Sequence, residues 1–182
     1  KLQITESLSF DGITTAKGTF SVEDASAQQI AWAGIGQYLD TVNPCRFLTF
    51  MGVIAGGGEA AQPHIVASAG AGLFGGYQAS TVSTGRLLDE DTAAALAELM
   101  RSSVKNQYGD KNFPGLNVCA KSGTAEVGGD KKPNAVFAGF CMDEEYPLAF
   151  FVVVEDAGSG AKTCVPIISE VLEACKEMMD SE

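Results

Sequence analysis

Apolar residues keep helical spacing in several segments of the chain. Asn43 and Pro44 open one of them, an acceptor side chain for the cap and a proline for the first turn. Phe47, Leu48, Met51 and Ile54 then recur on one face, and Gly56-Gly57-Gly58 ends the run. Asp89 predicts a second start, with Glu90 and Asp91 in the first turn, where the helix dipole favours carboxylates. Ala93, Leu96, Ala97, Met100 and Val104 form its apolar face to about Asn106, before Gly109. A third helix is expected from about Thr163 to Met179, with Ile168, Val171, Leu172 and Cys175 inward. A short one, Ala25 to about Ala33, follows Asp24 as cap and is broken by Gly34-Ile-Gly-Gln37.

Between the second and third long helices the pattern becomes that of strands, after a turn at Phe113-Pro114-Gly115. Strands are expected over 116–127, 135–142 and 148–156. Gly128-Gly129-Asp130 and Asp143–Pro147 connect them, and connections this short make antiparallel neighbours. Residues 1–23 alternate weakly and read as extended or loop; Pro63–Ser68 reads as a short strand, and the four glycines of Gly70–Gly76 as a turn or loop. Helices, a three-strand meander and a covering helix make an α+β fold in a single domain, residues 1–182.

Composition narrows the functions. The chain has 182 residues, 46% hydrophobic and 19% charged, enough for one real core. Net charge is −11 and lysines and arginines do not cluster, so no nucleic acid partner is expected. No apolar run reaches the roughly 18 residues of a membrane span. Five cysteines lie scattered without a C-x-x-C, and there is one histidine, His64, so no metal site and no cofactor is expected. The cysteines read as free thiols; Cys119 and Cys141, on neighbouring strands, could face each other. His64 reads as a polar residue at a strand start, Trp32 as packing, and Asp130, Lys131 and Lys132 as a solvated turn.

The candidate chemistry sits inside the first long strand, Val118-Cys-Ala-Lys-Ser-Gly-Thr-Ala125. A strand interior has no structural use for an ammonium, two hydroxyls and a glycine in succession. At a sheet edge beside a cleft they acquire one. Alternation puts Lys121 and Gly123 on one face and Ser122 and Thr124 on the other. Gly123 lets a ligand lie against the backbone, and free edge groups can pair with an extended peptide. Lys121 offers positive charge, Ser122 and Thr124 offer hydroxyl donors for a carboxylate, and a backbone N–H can stabilise an oxyanion.

Lys-Ser-Gly alone is too short to specify a function. Its surroundings resemble the penicillin-binding transpeptidase family. Lys121–Ala125 matches the family's K-[ST]-G-T-A strand. Ala33–Gln37, Thr41–Pro44, Ile54–Gly58 and Gln62–Val66 resemble its A-I-G-Q, T-P-L-Q, I-A-N-G-G and K-P-x-L-V segments, in order. Pro133–Phe140 resembles P-x-A-W-F-x-G-F, and Val152–Glu155, Gly158, Gly160 and the helix through Pro166 follow in family order. The resemblance runs from about Phe10 to Met179 and is nearest to class B, monofunctional enzymes. Tyr38, Ser122 and Val136 depart from the commoner residues without changing the assignment.

The resemblance implies a partial penicillin-binding protein/serine β-lactamase-like fold. It implies that Lys121 assists proton transfer, that Ser122 and Thr124 bind the carboxylate of a peptidoglycan stem peptide or a β-lactam, that Gly123 borders the substrate, and that the Thr124 N–H is one oxyanion donor. It also implies a domain outside the cell, anchored through an N-terminal membrane segment. The family's S-x-x-K and S-x-N motifs precede the A-I-G-Q segment, so no nucleophile is expected in this chain and the chain alone should be inactive. The literal Ser102-Ser-Val-Lys105 is a poor substitute. It falls at the end of a helix, where the dipole disfavours an anion, and only 19 positions before Lys121. The strand 148–156 would lack its usual neighbour, and the chain should self-associate through that edge or through a swapped element. A serine β-lactamase or D,D-carboxypeptidase, or a non-catalytic β-lactam sensor or scaffold, remain the alternatives on the same fold.

Overall fold

The computed structural model describes residues 2–70 and 76–181. Its centre is an antiparallel sheet in the order β5-β6-β7: Val118–Ala125, Asn134–Cys141 and Ala149–Val154. The outer two strands are a little shorter than their alternating runs, and the middle one keeps its length one position earlier. Two small hairpins lie apart from it: β1 (Ser9–Phe10) with β2 (Ile13–Thr14), and β3 (Ser68–Ala69) with β4 (Tyr77–Gln78). The first lies inside the segment read as extended or loop. It turns on Asp11-Gly12, both at positive φ, the arrangement a two-residue hairpin needs. The strand expected at Pro63–Ser68 shrinks to Ser68–Ala69, and His64 lies exposed in the preceding loop. The loop expected at Gly70–Gly76 falls, for residues 71–75, outside the described residues.

Helices cover both faces of the sheet. Alpha helix α1 (Ala27–Ala33) is capped by Ser26 with Gln29 in a reciprocal capping box, not by Asp24, which takes a positive φ just outside. Helix α2 (Pro44–Ala55) starts at Asn43 as expected, and α3 (Glu90–Ser103) at Asp89. After Ser103 the helix widens into a single π turn, Val104–Tyr108, closed by Gly109 N–H donating to Val104 O at 2.7 Å. Helix α4 (Gly160–Asp180) begins three residues before its expected start, with Ser159 as cap.

Alternation along the strands divides the core. Val118, Ala120, Phe137, Cys141 and Phe150 pack against Ile168 and Leu172 of α4. Cys119, Ala138 and Phe140 pack against Met51 and Ile54 of α2 and Met100 of α3. Phe137 is fully buried, stacked on Phe113 and Phe150 and edge-on to Tyr108. Three inward assignments fail. Val171 lies exposed on α4, Leu48 points outward on α2, and Trp32 remains 47% exposed instead of packing.

The register also settles the cysteine pair. Cys141 sits opposite Val118, while Cys119 sits opposite Phe140, so the two thiols lie on opposite faces of the sheet. All five cysteines are free, and burial pushes the Cys119 thiol up to about 11 and the Cys141 thiol up to about 12.

Candidate active site

Among the described residues strand β5 is a sheet edge, paired only with β6. Its register sets Lys121 opposite Ala138, Ser122 opposite Phe137, Gly123 opposite Val136 and Thr124 opposite Ala135. Lys121 and Gly123 therefore share the face of Cys119, towards α2 and α3. Ser122 and Thr124 share the face of Ala120, towards α4. This is the division expected from the alternation.

On the first face, Lys121 and Gly123 border a mostly apolar groove of about 620 Å³, which Ser122 between them also touches and whose walls include Phe50 and Ile54 of α2 and Leu99 of α3. The Lys121 ammonium is exposed at its mouth and donates to Ser122 O at 2.6 Å. Among the described residues no carboxylate lies within ion-pair distance of it. The site thus presents one uncompensated cation beside an open apolar trough.

On the second face, Thr124 Oγ1 accepts the Gly160 N–H at 3.2 Å, and Gly160 is the first residue of α4. The positive end of that helix therefore points at Thr124. The contact requires glycine: a Cβ at 160 would lie 2.0 Å from Gly123 O and 2.7 Å from Val136 O.

Along the edge itself, the outward backbone groups belong to the even-numbered residues. Arg101 Nη1 donates to Val118 O at 3.1 Å, Ser122 N–H donates to the Tyr108 hydroxyl at 2.9 Å, and Gln37 Nε2 reaches Thr124 O at 3.4 Å. By the same alternation the Thr124 N–H faces outward. The strand is thus pinned above and below, and the Thr124 amide faces out from the sheet edge.

Tyr108, Gln37 and Gly160 escape the reading of the motif. Gln37 and Gly160 lie in segments quoted above for their order, but no spacing links either to Thr124. Tyr108 is 14 positions from Ser122 and reaches it from the end of the π turn. Ser102, set aside as nucleophile, lies exposed in the last turn of α3 at the groove rim, where its Oγ accepts from Asn106 Nδ2 at 3.0 Å. Asp130, Lys131 and Lys132 are exposed, as expected of a solvated turn.

Comparison with known proteins decides the lineage. Residues 2–173 match the penicillin binding protein transpeptidase domain. The chain belongs to the penicillin-binding protein transpeptidase family. It is 28% identical over 167 residues to the peptidoglycan D,D-transpeptidase PbpA of Mycobacterium tuberculosis, covering 84% of this chain and 33% of that protein. PbpA of Mycolicibacterium smegmatis is 28% identical over 149 residues, 77% of this chain and 29% of the relative. Among solved structures, a ceftriaxone acyl-enzyme complex of penicillin-binding protein A from M. tuberculosis superposes with a TM-score of 0.76 at 27% identity, over 88% of this chain and 38% of that one. The D,D-transpeptidase domain of an Eggerthella lenta peptidoglycan glycosyltransferase shares the fold, with a TM-score of 0.76 at 21% identity over 97% of this chain and 46% of that one. The chain spans about a third of the length of the curated relatives it matches. Both the α+β architecture and the partial transpeptidase fold expected from the motifs stand. Among the described residues no helix is long and apolar enough to cross a membrane.

Proposed function

We propose that this chain is the C-terminal part of the transpeptidase domain of a class B peptidoglycan D,D-transpeptidase, and that its β5 edge is one wall of an acyl-transfer site. The observation that carries the reading is the unpaired Lys121 ammonium beside the open groove, next to an outward Thr124 amide. In this reading an upstream serine, on a segment with the S-x-x-K pattern, completes the site. Its hydroxyl oxygen attacks the carbonyl carbon of a stem peptide or β-lactam while its proton passes to a neighbouring base. The carbonyl oxygen takes up negative charge, which the Thr124 N–H stabilises. Collapse expels the leaving nitrogen, which collects the proton, and leaves an acyl-enzyme for the next acceptor. Lys121 favours the deprotonated serine by its charge, Gly123 admits the ligand to the strand, and Ser122 and Thr124 donate to its carboxylate.

The exposed apolar residues agree with a domain of which more exists. Phe20 is 63% exposed, Ile35 75% and Leu39 54%, the last two within two positions of Gln37, which reaches Thr124 O. The relatives' names favour a transpeptidase over a β-lactamase. The parent protein works outside the cell, held by an N-terminal membrane segment. Taken alone, the chain is inactive and self-associates through the free edge of β7, where Val153 is 43% exposed. Light scattering that finds a monomer at tens of micromolar would contradict the association.

The test is intact mass after benzylpenicillin, run on this chain and on a longer form carrying the S-x-x-K segment. A penicilloyl adduct on the longer form only, mapped to the upstream serine, is expected. No adduct on either overturns the transpeptidase reading; an adduct on the short chain moves the nucleophile to Ser102.

A further inference from the structure

Among the described residues Tyr108 makes two hydrogen bonds through its hydroxyl, and both go to Ser122. The phenol oxygen accepts the Ser122 N–H at 2.9 Å and donates its own hydrogen to Ser122 Oγ at 3.0 Å. We infer that Tyr108 is a positioning residue that orients Ser122 as a hydrogen-bond donor to the ligand's carboxylate and sets the register in which an extended peptide meets the strand. The inference rests on the transpeptidase reading above and goes beyond it, because no resemblance assigns Tyr108 a role.

A phenol has a single hydrogen, and here it is spent on Ser122 Oγ. A serine hydroxyl has one hydrogen and two acceptor positions. One acceptor position is filled by Tyr108, so the Ser122 hydrogen must turn away from the phenol. Ser122 is half-buried at the sheet edge, with its side chain on the α4 face and the residue still bordering the groove. Its hydrogen is left free as a donor to a ligand lying along that edge, the polarity an anionic group needs.

The amide bond does a second thing. Ser122 N–H would otherwise be a free donor on the strand edge. Tyr108 takes it, and Lys121 Nζ takes Ser122 O at 2.6 Å. A peptide adding to the edge therefore finds an open donor at Thr124 and none at Ser122. Slippage of the peptide by two residues towards Ala120 would have to break the phenol contact.

The phenol is held firmly enough to do this. Tyr108 is 7% exposed, its ring lies edge-on to Phe137 with centroids 5.1 Å apart, and Asn112 Nδ2 donates to its carbonyl at 2.6 Å. Phenylalanine would fill the same space. Only the hydroxyl distinguishes the two, and it serves Ser122 alone.

The experiment uses the longer form carrying the S-x-x-K segment and follows acylation by benzylpenicillin and by benzylpenicillin methyl ester, whose carboxylate is blocked. Tyr108→Phe should lower the acylation efficiency for the free acid about tenfold, as expected for weakening one charge-assisted hydrogen bond. The loss should appear in the concentration dependence more than in the limiting rate, and the methyl ester should change by less than about twofold. In a Ser122→Ala background, Tyr108→Phe should have no further effect on the acid-to-ester ratio. Equal losses on acid and ester would show that the phenol merely braces the strand, and no loss on either would show that it does nothing; both overturn the inference. Should Tyr108→Phe not fold, Ser122→Ala alone, which keeps the phenol, must lower the acid-to-ester ratio, and an unchanged ratio overturns the inference as well. A wild-type longer form that acquires no adduct defeats the transpeptidase reading and this inference with it, whereas an adduct with an unchanged ratio defeats this inference only.

Discussion

Gly160 lies directly over Gly123, the residue between the two hydroxyls of the candidate site: a methyl group at 160 would come within 2.0 Å of the Gly123 carbonyl oxygen. The first residue of α4 is thus seated on the strand that carries Lys121, and neither backbone has room to give. Gly160→Ala places its Cβ against two main-chain oxygens, not against a side chain that could rotate away. Overpacking of this kind costs about 1–3 kcal/mol. A urea melt should show the loss, and amide shifts over Lys121–Thr124 should show the strand displaced. A midpoint equal to wild type would mean that the helix start yields freely.

Asn43 performs two tasks from a nearly fully buried position. Its Oδ1 caps α2 by accepting the Cys45 and Arg46 amides, and the two hydrogens of its Nδ2 are shared among Glu6 O, Thr15 Oγ1 and Ala16 O. Asn43→Ala removes the cap and strands buried acceptors, so a loss of about 2–4 kcal/mol is predicted. Asn43→Asp keeps the cap acceptor and loses the donors. It should fall between the two in a denaturant melt; a neutral Asn43→Ala would contradict the account of how residues 6–16 are tied down.

The thiols should divide into two classes. Cys119, Cys141 and Cys164 are buried, and burial raises all three, to about 11 and about 12 for the first two. Cys45 and Cys175 are only partly covered. Titration with a thiol reagent near pH 8 should modify Cys45 and Cys175 in the native protein and reach the other three only on unfolding. Rapid native modification of Cys119 or Cys141 would count against the packing of the sheet.

Acid should loosen two surface attachments. Asp11 accepts the Ile65 amide at 2.6 Å and the Val66 amide at 3.0 Å, which holds its carboxyl below the usual value. The Thr92 hydroxyl and amide do the same for Asp89 at the start of α3. Because both folded values lie below the unfolded ones, their contribution is fully present above the ordinary aspartate range, near pH 4. It is lost as pH falls through the folded values. Asp11→Asn should therefore flatten the acid limb of a melting-temperature curve below about pH 4, while leaving its shape above about pH 6 unchanged.

Much of this was written locally in the chain. The helix starts at Asn43 and Asp89 and the three-strand meander follow from side-chain caps and period-two alternation, which act over a few residues. The division of Lys121 and Gly123 from Ser122 and Thr124 follows from alternation alone. The hairpin at Asp11-Gly12 was also legible, since Asp-Gly is a strong two-residue turn signal, yet the weak alternation around it hid the strands. Trp32, Val171 and Leu48 were misplaced because an apolar residue at helical spacing does not show how far the core extends around the helix. Tyr108 could not be placed, because the π turn that redirects it has no sequence period and its partner lies across the edge of a sheet.

The most direct test of the central claim is the benzylpenicillin acylation rate of Lys121→Ala in the longer form carrying the S-x-x-K segment. If the β5 edge forms half of an acyl-transfer site, the folded variant should acylate at least roughly a hundredfold more slowly, the usual worth of a group that assists proton transfer. An unchanged rate in a folded Lys121→Ala variant would mean that this ammonium lies beside the groove without serving it, and the site proposed here would have to be abandoned.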